Sequence, residues 1–140
     1  MWLLYAFLSS IFAAGVAIVG KIGLKNIDST LATTIRSIIM AVFLIILSLI
    51  SDKFNGFSIN SLSNNDWLFI ILAGILGALS WLFYFFALKD GPVNGVVAID
   101  RLSIVFVFIF SLLFLKEHFT IKGLIGVILM VFGAILISIK

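Results

Sequence analysis

Apolar residues form five long, nearly uninterrupted runs in this chain, and the polar residues are concentrated between them. The runs cover residues 2–20, 31–50, 67–88, 93–115 and 121–139. A membrane-spanning helix needs about 20 apolar residues, within a range of roughly 17–25. Each run therefore predicts a transmembrane helix, and no residues remain for a separate soluble domain. We predict one domain that covers residues 1–140.

The connections between the runs are short or rich in polar residues. Residues 89–92 read Lys-Asp-Gly-Pro, which suits a tight turn and makes the third and fourth helices an antiparallel hairpin. Residues 116–120 join the fourth and fifth helices almost as tightly. Polar side chains precede three of the runs and are expected to cap the helices that follow: Ser29 or Thr30, Asp66 and Thr120.

The composition indicates that lipid covers most of the surface. Of 140 residues, 64% are hydrophobic and 11% are charged, whereas a soluble domain is about half apolar and a quarter charged. A soluble fold of this length has too little interior to hide so much apolar surface. We therefore expect an all-α, multi-pass protein of the cytoplasmic membrane.

The sequence lacks the residues that several kinds of functional site require. The chain has no cysteine, which excludes disulfides and thiol chemistry, and its net charge of +3 is spread too thinly for a nucleic-acid surface. Its one histidine, His118, lies in a charged connection, with no clustered nucleophile, metal ligands or phosphate loop. We expect neither an enzyme nor a bound cofactor or metal.

The loop charges leave the orientation of the chain open. Five spans place the termini on opposite sides, the N-terminal side A and the other side B. The loops of side A carry three lysines and those of side B carry four: Lys53, Lys116 and Lys122 against Lys21, Lys25, Lys89 and Lys140. Counting Arg36 and Arg101, which are nearest side B, favours a cytoplasmic side B. The chain is predicted to insert either with its C-terminus inside or in both orientations.

Three charged residues, Arg36, Asp100 and Arg101, interrupt the second and fourth runs. The apolar stretches that follow, 37–50 and 102–115, are each about 21 Å long as helices, short of a hydrocarbon core of about 30 Å. The charges should thus lie one to two turns inside the membrane. Such groups usually face a polar interior or a substrate path; the alternative is that they snorkel to the headgroups.

The third run contains an aromatic cluster, W81-LFYFF-86. Trp81, Tyr84 and Leu88 share one face of a helix. Two interpretations stay open: interfacial anchoring by the tryptophan and tyrosine, or a flat-walled pocket for an organic substrate with the hydroxyl and indole as polar handles.

Small residues recur at one-turn or two-turn spacing on three of the predicted helices. Such rows let transmembrane backbones approach closely, within one chain or between two. The residues selected for helix packing are Ala13, Ala17, Gly74, Gly77, Gly126 and Gly133.

Residues 81–137 resemble the C-terminal part of an EamA domain, from the drug/metabolite transporter superfamily. The residues that carry the resemblance are Ala87-Leu88-Lys89 before Gly91-Pro92, Leu115-Lys116-Glu117 at the end of the fourth helix, Gly123, Gly126 and Gly133 in the fifth, and Arg36 early in the second. Many members carry a proline a few residues into the fourth helix, where this chain has Ser103-Ile104-Val105.

The resemblance implies one five-helix half, or single repeat, of a ten-helix inverted-repeat transporter fold, as in the short bacterial and archaeal members. It also implies transport of a small organic metabolite. Alternating access is commonly built from two inverted repeats, and two oppositely inserted copies would recreate that pair. We therefore predict an antiparallel homodimer, with a parallel dimer or a heterodimer with a paralogous half as alternatives.

Two other functions compete with this prediction. A proton-coupled multidrug exporter of cations, resembling the small multidrug resistance family, needs a membrane-embedded carboxylate facing the cavity. The candidate here is Asp100, which lies beside an arginine, and the first run contains no acid. A membrane assembly protein without transport activity is the third possibility.

Overall fold

The computed structural model describes residues 1–116, 118 and 120–139, without the side chain of Asn60. Glu117 and Lys140, which enter the family resemblance and the charge count, lie outside the described residues. The helices are α1 (Trp2–Gly23), α2 (Ser29–Ile50), α3 (Asn64–Asp90), α4 (Val93–Asp100), α5 (Ser103–Phe110) and α6 (Ile121–Ser138), with a 3-10 turn at Ile59–Ser61 and a π-helical segment at Ser111–Leu115. No strand occurs in these described ranges.

Within the described residues, five stretches are long and apolar enough to cross a membrane. Four of them are α1, α2, α3 and α6, and the fifth is Val93–Leu115, which contains α4, α5 and the π-helical segment. The predicted all-α, five-span fold class is confirmed. The helices also extend beyond several of the apolar runs, because α3 includes polar residues at both ends and α1 continues past Lys21.

Most large apolar side chains of the described chain are exposed. Phe12, Phe43 and Phe69, for example, are 72%, 63% and 68% exposed. The buried apolar residues of the described chain are few, and half of them are alanine: Ala17, Leu24, Phe85, Leu88, Ala98 and Ala134. Exposed apolar patches of this extent indicate a surface that contacts lipid or another protein.

Helix α2 begins with an aspartate cap. The Asp28 side chain accepts hydrogen bonds from the amides of Thr30 and Leu31, at 2.9 and 3.1 Å, while its backbone is extended. The prediction of Ser29 or Thr30 as the cap is wrong. A carboxylate that accepts two of the first amides of the helix competes better for this position, and Ser29 lies in the first turn with its side chain buried.

Ser63 and Asp66 begin α3 as a reciprocal pair. The Asp66 amide donates to Ser63 Oγ at 3.2 Å, and the Asp66 carboxylate accepts from the Ser63 amide at 2.9 Å. This arrangement is a capping box with Ser63 as the cap, so Asp66 lies in the first turn and not at the predicted cap position. Thr120 caps α6 as predicted, since its Oγ1 accepts from the Gly123 amide at 3.2 Å.

The stability of the fold is expected to depend on pH through the carboxylate of Asp28, which caps α2. The Leu31 amide, followed by the Thr30 amide and the positive charge of Lys89, holds the pKa of Asp28 below its ordinary value of 3.8. A lowered pKa stabilises the fold well above pH 3.8, and this contribution is lost as the pH falls through the pKa of the folded state. Asp28→Ala should therefore lower the unfolding temperature at pH 7, and this difference from wild type should shrink below pH 3.8.

Thermal unfolding of the purified protein between pH 7 and pH 3 measures this difference. Asp28→Asn is the matched control, because it keeps an oxygen that can accept the amides but cannot ionise. An Asp28→Ala deficit that is the same at both pH values would contradict the assignment of the pH dependence to this carboxylate.

The chain forms two compact units. One contains Met1–Ile22 and residues 90–140, with α1, α4, α5 and α6. The other contains Gly23–Lys89, with α2 and α3.

In the first unit, α4 packs closely on α6. Gly95 is buried, and a Cβ added there would lie 3.3 Å from Pro92 Cγ and 4.0 Å from Ser138 Cα. A Cβ at this position would require the Pro92 ring to shift by a few tenths of an ångström, while its distance from Ser138 is an ordinary van der Waals contact. At the end of α1, Lys21 Nζ donates to the Gly91 carbonyl at 2.9 Å, which ties α1 to the residue that precedes Pro92.

The fourth span is interrupted after Asp100. The amides of Leu102, Ile104 and Val105 donate to the carbonyls three residues earlier, at 2.9, 3.2 and 2.9 Å, which is the spacing of a 3-10 helix. Neither proline nor glycine occurs at residues 100–105. Asp100 and Arg101 consequently lie where the α-helical hydrogen bonding of this span gives way to a 3-10 turn between α4 and α5.

Candidate functional site

A cation–π contact lies within the unit formed by α2 and α3. The Cζ atom of Arg36 is 3.6 Å from the centroid of the Trp81 ring and 5.3 Å from that of Phe85. Arg36 is seven residues past Ser29, the first residue of α2, which corresponds to about 10 Å along the helix. Arg36 and Trp81 are half-buried, and Phe85 is only 3% exposed. The structure thus brings together two of the predicted site residues, one from each helix.

The aromatic platform beneath Arg36 is built from one face of α3. Trp81 meets Tyr84 edge to face, with centroids 5.5 Å apart and an interplanar angle of 80°. Phe85 lies 5.9 Å from Trp81 and 6.0 Å from Tyr84. Spacings of three and four residues place these rings side by side, and their mutual contacts restrict the orientation of the indole. Phe85 was not predicted as a site residue, although its position four residues after Trp81 was a signal for it.

Arg36 has no hydrogen bond or ion pair to its side chain within the described residues. An arginine at the centre of a membrane helix costs about 2.5–3.5 kcal/mol on insertion scales, and a cation–π contact returns about 0.5–2 kcal/mol. The contact with Trp81 therefore offsets only part of the cost. The N–H groups of the guanidinium need a further partner, such as water or a solute.

A groove on the same unit carries hydroxyl groups from α2. Its volume is about 460 Å³, and α2 and α3 both line it. The hydroxyls of Thr33, Thr34 and Ser37 donate to carbonyls four residues earlier, at 2.7, 2.9 and 2.8 Å. A hydroxyl has a single hydrogen, so these side chains offer the groove their oxygen lone pairs.

Asp100 and Arg101 belong to the other unit, and both side chains are exposed. Arg101 lines a groove of about 500 Å³ together with Asn94 and with apolar residues of α1, α4 and α6. In the described part of the chain, the two charged side chains pair neither with each other nor with another residue. Asn94 was not predicted as a site residue, although its polar side chain in an apolar run was a signal for it.

The six residues selected for helix packing differ in their surroundings. Ala17 is 2% exposed and Ala13 is half-buried. A Cβ added at Gly74, Gly77, Gly126 or Gly133 would meet no described atom within 4 Å. The close approaches occur at Gly95 and at Gly123, where an added Cβ would lie 3.1 Å from Thr120 Oγ1. The spacing of small residues thus did not identify Gly95 as a position of close packing. Its position one turn after Pro92 was a signal for it.

Comparisons with known proteins agree with this five-span architecture. The EamA-like transporter family matches residues 1–139. An uncharacterized transporter in the cobO 3′ region of Sinorhizobium sp. is 36% identical over 138 residues, which cover 99% of this chain and 96% of that protein. An uncharacterized protein of Methanocaldococcus jannaschii is 32% identical over 72 residues, 51% of this chain and 53% of that protein. No solved structure shows significant similarity.

The family match and the match to the Sinorhizobium relative each extend over nearly the whole chain. The matching family is the one that the sequence resembles, and the described chain has the five apolar spans that the resemblance implies. The chain is a multi-pass membrane protein that belongs to the EamA-like transporter family.

Proposed function

We propose that this protein is a secondary transporter that moves a small organic metabolite across the cytoplasmic membrane. The observation that carries the proposal is Arg36, which lies on Trp81 inside a span without a counter-ion among the described residues. Intramembrane ionisable groups typically mark the path of a substrate or an ion. In this proposal Tyr84, Asp100 and Arg101 also contact the solute along its path.

The proposed functional unit is an antiparallel homodimer in which each chain acts as one EamA-like domain. Five helices enclose little space, whereas two inverted copies supply the pair of repeats on which alternating access is commonly built. The space beside Gly126 and Gly133 supports a close approach by a second copy. Each copy would then present Arg36, Asp100 and Arg101 to opposite halves of one central path.

The cation-exporter alternative receives less support from the aromatic site. The guanidinium of Arg36 already covers one face of Trp81, and its positive charge repels an incoming cation. A transport assay separates both transporter hypotheses from the assembly protein.

Flux in proteoliposomes tests the proposed function. Amino acids, nucleosides, carboxylates and organic cations that raise the unfolding temperature of the purified protein are loaded as labelled solutes. We expect saturable, protein-dependent flux of at least one of them. Absence of flux for every solute that stabilises the protein would favour a binding or assembly function.

The proposed dimer predicts a topology that is easily shifted. A reporter fused to the C-terminus should show both orientations, because three lysines oppose four in the loops. Adding two lysines to side A, as Phe57→Lys with Ser58→Lys, should move the population towards a cytoplasmic N-terminus. Both positions are exposed, and the Ser58 side chain makes no capping hydrogen bond.

The matched control replaces the same two residues with glutamine, which adds polarity without charge. This control should leave the two orientations as they are in the wild type. A C-terminus that remains cytoplasmic in every copy, even with the added lysines, would exclude the antiparallel homodimer.

A further inference from the structure

We propose that the Arg36–Trp81 pair is a binding site for an anionic group, which makes the solute an organic anion or a zwitterion held by its carboxylate, sulfonate or phosphate. This inference rests on the proposed transport function, because it names the class of solute for the same site.

The geometry of the arginine favours a ligand with two oxygens. The guanidinium is planar and carries five N–H groups that point outwards in its plane. With Cζ 3.6 Å from the Trp81 centroid, the contact with the ring uses a face of the guanidinium and leaves its edges to other partners. A carboxylate or phosphate binds such an edge through two parallel hydrogen bonds. The contact with the indole therefore positions the paired N–H donors of Arg36 for an oxyanion.

The carboxylates of the same unit are already engaged at the ends of helices. Asp28 accepts the first amides of α2, and Asp66 accepts from the amide and hydroxyl of Ser63. Asp52 accepts from Asn55 Nδ2 at 3.1 Å. Residues 23–89 contain no other acid. The unit therefore has no carboxylate available to pair with Arg36. A negative charge that pairs with the guanidinium comes from outside residues 23–89.

A bound solute is the source of this charge in the proposal. The same chemistry also fits the phosphate of a lipid headgroup that a snorkelling arginine would contact. These two sources differ in one respect that can be measured, since a water-soluble anion binds the protein in detergent without any lipid.

Trp81 provides a reporter for binding. The chain has three tryptophans, at positions 2, 67 and 81, so Trp2→Phe with Trp67→Phe leaves Trp81 as the single tryptophan, which is excited selectively over the two tyrosines. The protein is purified in a phosphate-free maltoside detergent and titrated with benzoate, benzamide and benzylammonium. These probes share one ring and carry negative, zero and positive charge. We expect a saturable change in Trp81 fluorescence with benzoate, at concentrations about tenfold or more below those needed for the other two.

Variants of Arg36 test whether this fluorescence response depends on the paired N–H donors of the guanidinium. Arg36→Gln should weaken benzoate binding by about tenfold or more, and Arg36→Lys should give an intermediate loss, because lysine keeps the charge without the planar pair of donors. Lys25→Gln is the matched control, since it removes a positive charge from the same unit outside the spans and should leave the affinity unchanged. The unfolding temperature of each variant shows that it is folded.

Four results would overturn the proposal: no response to benzoate, an equal response in Arg36→Gln, tighter binding of benzylammonium, or an Arg36-dependent response to short-chain phosphatidylglycerol alone. The last result would assign Arg36 to lipid headgroups. Flux measurements keep this inference separate from the proposed function. If a solute is transported but benzoate binding does not depend on Arg36, only the anion-site proposal is contradicted. If benzoate binding depends on Arg36 but no solute is transported, only the proposed transport function is contradicted.

Discussion

Replacing Asp100 with alanine and Arg101 with leucine is expected to reduce solute flux by about tenfold or more, while membrane insertion stays intact or improves. Each charge costs about 2.5–3.5 kcal/mol near the centre of a span by insertion scales, so removing both should not harm insertion. The side chains are exposed at the junction between α4 and α5, and replacing them leaves no buried cavity. A loss of flux in a folded protein would therefore report on the solute path.

The control for this double variant removes another adjacent pair of opposite charges. Asp52→Asn with Lys53→Gln acts in the loop between α2 and α3, and asparagine tolerates the left-handed backbone at position 52, where φ is 52°. Because Lys53 is one of the three lysines of side A, Ser58→Lys is added to the control to keep the loop charge. Flux should then be unchanged. Wild-type flux through the Asp100 and Arg101 variant would mean that both side chains reach the headgroups and have no part in transport.

Leucine at Gly126 or at Gly133 is expected to raise the dissociation constant of the dimer by about tenfold, equivalent to about 1.4 kcal/mol, without unfolding the chain. A Cβ at either position meets no described atom within 4 Å, so the substitution creates no backbone-level clash within the described chain. The larger side chain would obstruct a helix of a second copy that approaches this face closely. Cross-linking or energy transfer between labelled chains in bilayers measures the dimer fraction.

Gly95→Leu is the contrasting variant in this experiment. Its side chain would extend from a Cβ only 3.3 Å from Pro92 Cγ and 4.0 Å from the backbone of Ser138, so it should reduce the yield of folded protein itself. If Gly126→Leu and Gly133→Leu both dimerise like the wild type, that face of α6 contacts lipid and the proposed interface lies elsewhere.

The five spans could be predicted from sequence because one strong physical requirement determines them. Each apolar run must match the thickness of the hydrocarbon core as a helix, and this requirement does not depend on how the helices pack. Helix ends were harder to predict, because neighbouring polar residues such as Asp28 and Ser29 compete for the cap and only the geometry of the first turn selects one.

The contact between Arg36 and Trp81 could not be predicted from the sequence, for a different reason. Both residues were selected individually, one as an intramembrane charge and one as an aromatic handle. Their pairing depends on which faces of α2 and α3 meet, and hydrophobic periodicity gives no information on this when a helix is apolar all round. The interruption after Asp100 likewise had no proline or glycine to indicate it.

The hydrogen bond from Lys21 to Gly91 has a consequence for biogenesis. The unit that contains α1 is discontinuous along the chain, and the whole of residues 23–89 is synthesised between its two parts. The donor and the acceptor are 70 residues apart, which corresponds to roughly 4–14 s of translation at about 5–20 residues per second. During this interval α1 leaves the ribosome before α4 and α6 exist, whereas α2 and α3 are complete and adjacent in sequence. The α2–α3 hairpin can therefore assemble during synthesis, whereas the unit that contains α1 can be completed only after the turn at Gly91 and the helices that follow it have been made.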